Sequence, residues 1–142
     1  MQQQNLKNHH QVVWSYYLYT GIPILFLIAL SVIYFFKLGF VFQYEPVMFL
    51  LTGWILLIMF FRSRGFALRA QDRAIRAEEG LRYFILTGKK LDPSLSIKQI
   101  VALRFASDQE FPDLVQRTID ENLGNKEIKQ LVKNWRADYY RV

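Results

Sequence analysis

At 142 residues the chain has room for one soluble domain at most, and less once its long apolar runs are subtracted. Hydrophobic residues make up 52% of it, yet 27 of its 30 Asp, Glu, Lys and Arg lie beyond Phe61, an asymmetry that belongs to an anchored protein and not to a soluble globule. The absence of Cys excludes a disulfide framework, a thiolate metal site and a cysteine nucleophile, and the net charge of +6, mostly arginines beside an apolar run, is read first as a topology signal.

Residues 1–11 are polar and are expected to be retained. Only Lys7 is reliably positive, and the next apolar run is too long for a cleavable signal. His9 and His10 are adjacent, so on a helix they would point about 100° apart and chelate poorly. No other His or Cys exists to complete a zinc or haem site.

Residues 12–36 form the first expected membrane helix. Trp14 to Phe36 would reach ~34 Å at ~1.5 Å per residue, enough for a ~30 Å hydrocarbon core with some tilt. Trp14, Tyr16, Tyr17 and Tyr19 cluster at one end and Tyr34, Phe35 and Phe36 at the other, as aromatic belts do. Gly21 and Pro23 predict a tolerable kink one turn inside. Residues 37–45 form a short turn in which Gly39 suits a helix C-cap, Glu45-Pro46 suits a helix start, and Phe40, Val41, Phe42 and Tyr44 are expected at the interface. So short a connection makes the two spans antiparallel neighbours.

Residues 46–64 form the second span, uncharged from Pro46 to Phe61. No Pro and no obvious cap separates it from residues 65–88, so one helix is expected to leave the membrane near Arg62 and continue into water, with Gly65 its one weak joint. Arg62, Arg64, Arg69, Arg73 and Arg76 follow it and Lys7 precedes the first span, which places both termini in the cytoplasm. The same arginines would attract anionic lipid headgroups at about 1 kcal/mol each. Ala67, Ala70, Ala74, Ala77, Leu81 and Phe84 then recur at heptad spacing, a seam of small residues that permits close helix approach. Two uses of this candidate interaction face are open: a coiled-coil partner, or, as the preferred expectation, the later helices of the same chain.

Residues 89–142 should fold as three short helices after a break at Asp92-Pro93. Ser96 is expected to cap the first, running to about Phe105. Ser107 and Glu110 form a capping box for the second, and Asn125 caps the third. In that last helix Ile128, Leu131, Val132, Trp135 and Tyr139 make one stripe. No stretch reads as a strand, so the fold class is all-α: a transmembrane helical hairpin whose second helix continues into a small cytoplasmic helical domain.

Little chemistry is visible. Neither apolar run, 12–36 or 46–61, holds an Asp, Glu, Lys, Arg or His, which argues against a pump or a carrier of charged substrates. There is no phosphate loop, dinucleotide glycine pattern, nucleophile elbow or calcium loop. Carboxylates such as Glu78, Glu79, Asp108, Glu110, Asp113, Asp120 and Glu121 sit at helix starts or among arginines, where caps and solvated ion pairs account for them. Asp72 is expected to pair locally with Arg76 or near Arg69, or to reach the tail. The tail's ten positive against eight negative residues make a poor phosphate-binding field, so nucleic acid is not the expected partner.

The runs Asn5-Leu6-Lys7-Asn8-His9, Gln71-Asp72-Arg73, Arg82-Tyr83-Phe84 with Leu86-Thr87-Gly88, Ala102 to Asp108 (ALRFASD), and Asn134-Trp135-Arg136-Ala137-Asp138 are spread along the chain. Taken together they resemble a family of small bacterial two-span membrane proteins catalogued as a domain of unknown function. The resemblance covers nearly the whole chain, implies a bacterial inner-membrane setting, and brings no activity, cofactor or catalytic residue. The expected function is therefore a non-enzymatic membrane scaffold or interaction protein, binding a protein partner or itself. One alternative is an accessory subunit of a larger membrane complex, packed through Ser31, Thr52 and Gly53. The other is a membrane-tethered nucleic-acid-binding module. No small-molecule substrate, cofactor or metal is indicated.

Overall fold

The computed structural model describes residues 5–6, 12–38 and 43–138. These form five helices: α1 (Trp14–Lys37), α2 (Tyr44–Thr87), α3 (Ile97–Leu103), α4 (Phe111–Asp120) and α5 (Asn125–Leu131). Among the described residues no strand is present, which makes the fold all-helical, and an isolated bridge pairs Ala106 with Trp135. The chain divides into two units. One is Val12–Ala67; the other takes in Leu68 onward together with Asn5 and Leu6. Helix α2 contributes its first part to the one and the remainder to the other.

In the first unit, α1 and the start of α2 are nearly uncovered by protein. The expected irregularity near Gly21 takes the form of one widened turn, Tyr17–Gly21. Its cause is Pro23, which has no N–H to offer the Tyr19 carbonyl, so the preceding turn loosens. The helices meet closely at Gly53, where an added Cβ would stand 2.6 Å from Ile28 Cγ1. Ser31 is buried and returns its hydroxyl to the Leu27 carbonyl at 2.7 Å. At the other end Tyr16 stacks on Phe60 at 4.5 Å and donates its hydroxyl to the Phe60 carbonyl. Gly53 and Ser31, expected as contacts for other subunits, are thus engaged within the chain, while Thr52 stays exposed. Helix α2 starts at Tyr44, two residues before Pro46, whose missing N–H falls harmlessly in the first turn. The expectations for Gly39, Phe40, Val41 and Phe42, and those for His9, His10 and Tyr139, lie outside the described residues.

Helix α2 passes Gly65 unbroken and ends as expected, with Gly88 at φ +72° and its N–H on the Phe84 carbonyl at 2.8 Å. Asp92 then closes a turn by accepting the Ser94 N–H at 2.7 Å. Hydrogen bonds from the Ser94 hydroxyl and then its backbone hold the Asp92 carboxyl below its ordinary range. A depressed carboxyl stabilises the fold above its unfolded pKa, and that contribution fades as pH falls through the lowered value.

The tail's core is built from Ile75 of α2, Leu95, Ile100 and Leu103 around α3, Phe111, Leu114 and Val115 of α4, and Ile128 and Val132 around α5. Ser96 caps α3 as expected, accepting from Gln99 N while Gln99 Oε1 accepts from Ser96 N at 2.8 Å. Three boundaries differ from expectation. Helix α3 stops at Leu103, so that Phe105 reaches the core from a turn. Helix α4 begins at Phe111 and not after Ser107. Glu110 Oε1 does accept the Ser107 N–H at 3.2 Å, but the buried Ser107 hydroxyl has no partner among the described residues, leaving half a capping box. Asn125 opens α5 as its first residue and not as its cap; Gly124 precedes it, donating its N–H to Glu127 Oε2 at 2.6 Å.

Helix α5 also stops early, at Leu131, so Val132 and Trp135 belong to an extended segment and not to a helical stripe. The reason is Glu110, whose carboxylate accepts the Lys133 and Asn134 N–H groups at 3.2 and 3.1 Å in place of helical carbonyls. The segment is then held by Arg136 N–H on the Phe105 carbonyl at 2.7 Å. Two substitutions should separate the units. Phe111→Ala is expected to cost ~3–5 kcal/mol in the hydrogen-exchange protection of the Val115 and Ile128 amides. Gly53→Val should leave that protection unchanged while loosening the helix pair around Ile28, seen as faster exchange there.

Candidate interaction face

Beyond Leu68, α2 has two sides of opposite character. Ile75, Glu79, Arg82 and Tyr83 turn toward the tail, and Ile75 and Glu79 are buried. Arg82 is the junction. Its Nε donates to Asp108 Oδ1 at 2.7 Å, its Nη1 to Glu79 Oε2 at 2.9 Å, and its Nη2 to the Ala106 carbonyl at 2.7 Å. Its carbon sits 4.3 Å above the Phe111 ring, a cation–π contact with the core. Arg136 Nη1 lies 3.9 Å from the second Glu79 oxygen. Every charge in this cluster therefore has an opposite neighbour, which is what allows Glu79 to be 6% exposed.

The other side of α2 is apolar and uncovered. Ala70, Ala74 and Ala77 are exposed, as are Leu81, Phe84 and Ile85 at 61%, 52% and 72%. Two grooves border it. One of about 480 Å³ is lined by Arg76, Gly80, Phe84, Lys90 and Leu91; the other, of about 370 Å³, by Glu78, Leu81, Ile85, Asp108 and Arg136. A third, of about 680 Å³, brings Asn5 beside Ser107, Lys133, Trp135 and Arg136. Among the described residues no three of His, Asp and Glu converge as metal ligands would.

A profile for a family of unknown function, DUF6526, matches residues 1–142. The chain belongs to that family. No curated protein and no solved structure matches it.

The seam expected from the sequence is real as a row but does not receive the tail. Its first member, Ala67, is half-buried, while Ala70, Ala74, Ala77, Leu81 and Phe84 are all exposed. The tail packs almost diametrically opposite, against Ile75 and the Glu79–Arg82 pair. The heptad rule missed this side because two of its four principal residues are charged. Glu79 was expected to be a solvated partner for nearby arginines; the i,i+3 spacing of Glu79 and Arg82 carried the pairing but not its burial. Asp72 makes no ion pair among the described residues. Of the five arginines, Arg62, Arg69, Arg73 and Arg76 are exposed and Arg64 is half-buried. Arg64 lies 5.9 and 5.6 Å from the Tyr16 and Tyr17 ring centres, and Arg76 Nη2 donates to the Leu95 carbonyl at 3.2 Å.

Arg82→Ala should destabilise the tail by ~3–5 kcal/mol, because it leaves Glu79 buried and unpaired. Adding Glu79→Leu should recover much of that loss in denaturant unfolding of the full chain. With chains kept apart by excess detergent, Leu81→Gln and Phe84→Gln, on the uncovered side, should each change stability by less than about 0.5 kcal/mol.

Proposed function

We propose that this chain is a non-enzymatic scaffold of the bacterial inner membrane, a two-span hairpin with both ends in the cytoplasm that presents its helical tail to a protein partner, including further copies of itself. The observation that carries this reading is α2. It runs unbroken for 44 residues, about twice the ~20 that a hydrocarbon core requires. Its first part is apolar and uncovered; its second is built into a folded unit.

Exposed large side chains such as Leu25, Phe26, Phe49, Leu51, Trp54 and Met59 would present far more contiguous apolar surface to water than soluble monomers tolerate. A lipid surround removes that cost. Common placement of the two ends is favoured by Asn5, which precedes the first span yet lines a groove with Lys133 and Arg136. Exposed Arg62, Arg69 and Arg73 suit anionic headgroups at about 1 kcal/mol each.

The chain has no Cys, so single-cysteine variants report position cleanly. The protein should float with vesicles after alkaline carbonate treatment. In intact spheroplasts a membrane-impermeant maleimide should label Lys37→Cys but reach Asn5→Cys and Asp138→Cys only after permeabilisation. Release by carbonate, or labelling of Asn5→Cys and Asp138→Cys from opposite sides, would overturn the assignment.

A further inference from the structure

We propose that the uncovered face of α2 between Ala70 and Ile85 pairs with the same face of a second copy, the two helices parallel, with Arg73 of each set against Glu78 of the other. The pairing rests on the membrane reading above and names the partner that reading leaves open.

Three observations converge on a second copy. The first is shape. Ala70, Ala74, Ala77, Leu81 and Phe84 occupy the alternating three- and four-residue spacing that faces an identical helix, and the alanines let backbones come close. The tail lies on the opposite side, so nothing of the same unit among the described residues covers this row.

The second is charge. Arg73 borders the row on one side and Glu78 on the other. Both are exposed, and neither forms an ion pair within the chain among the described residues. In a parallel pair, a residue on one border meets the residue five positions later on the partner's opposite border. That rule places Arg73 against Glu78 twice, once on each side of the two-fold axis. An antiparallel pair would bring like borders together, so the charges select the parallel arrangement. Two copies whose α2 helices leave one membrane in the same direction are also parallel, an independent constraint with the same answer.

The third is the next border pair, Gly80 and Ile85. Ile85 is 72% exposed, and a Cβ built at Gly80 would have nothing within 4 Å. Gly80 thus offers open space where the partner's Ile85 arrives. So short a row would not hold two helices together in bulk water. Confinement to a plane with orientation already fixed removes much of the rotational and translational cost of association.

The test uses the full chain in phosphatidylcholine–phosphatidylglycerol vesicles, with single cysteines at Ala70→Cys, Ala77→Cys and, away from the face, Asp120→Cys. Across a parallel two-fold axis the same position meets itself within disulfide reach. Oxidation should therefore crosslink the first two variants and not the third. In the Ala70→Cys background, Arg73→Glu should weaken association roughly tenfold on dilution with lipid, and adding Glu78→Arg should restore it. Protein that floats but crosslinks equally at Asp120→Cys, or at no position, overturns the pairing and leaves the anchor standing. Crosslinking at Ala70→Cys and Ala77→Cys that ignores the charge swap overturns the assigned register. Protein that fails to float overturns the anchor and the parallel pairing with it.

Discussion

The guanidinium of Arg82 joins the long helix to the tail. It satisfies Glu79 from its own helix, Asp108 and the Ala106 carbonyl from the segment after α3, and it covers the Phe111 ring of α4. A buried carboxylate on α2 would be costly alone; with Arg82 and the nearby Arg136 it becomes a fixed point. The hydrophobic contacts of Ile75 and Tyr83 then complete a junction whose specificity is polar and whose bulk is apolar.

The closure of the tail follows the same logic at smaller scale. Polar side chains with fixed geometry end or join its helices: Ser96 and Gln99 at α3, Glu127 in the first turn of α5, and Glu110 where α4 meets the C-terminal segment. Gln99 also reaches the Leu123 carbonyl at 3.0 Å and Asn125 the Lys98 carbonyl at 2.7 Å. These bonds decide where short, weakly autonomous helices begin and end, which propensity alone leaves open.

The sequence made the long helices legible because their signals are long: an uncharged run from Pro46 to Phe61, no breaker before Gly88, and a glycine suited to the left-handed cap. The three short helices were visible as elements, through Pro93, Ser96 and Gly124, but apart from the Ser96 start of α3 their ends were not. Val132 and Trp135 continue a helical apolar rhythm past the point where Glu110, more than twenty residues away in sequence, captures the next amides. A periodic pattern cannot register a distant carboxylate. The two sides of α2 were exchanged for a related reason. The apolar row is the more regular signal, yet burial went to the side where charges could be neutralised, since Glu79 and Arg82 arrive as a pair while Ala70, Ala74 and Ala77 offer little area to bury.

The polar ties of the tail are short in sequence. Arg82 meets Asp108 across 26 residues, Gln99 meets Leu123 across 24, and Glu110 meets Lys133 across 23. Each closes soon after its second partner has been synthesised, and the helix that supplies Ile75, Glu79 and Arg82 is made first. Translation can therefore deliver the tail to a template already standing, one short helix at a time, with each segment finding its contacts among residues made before it.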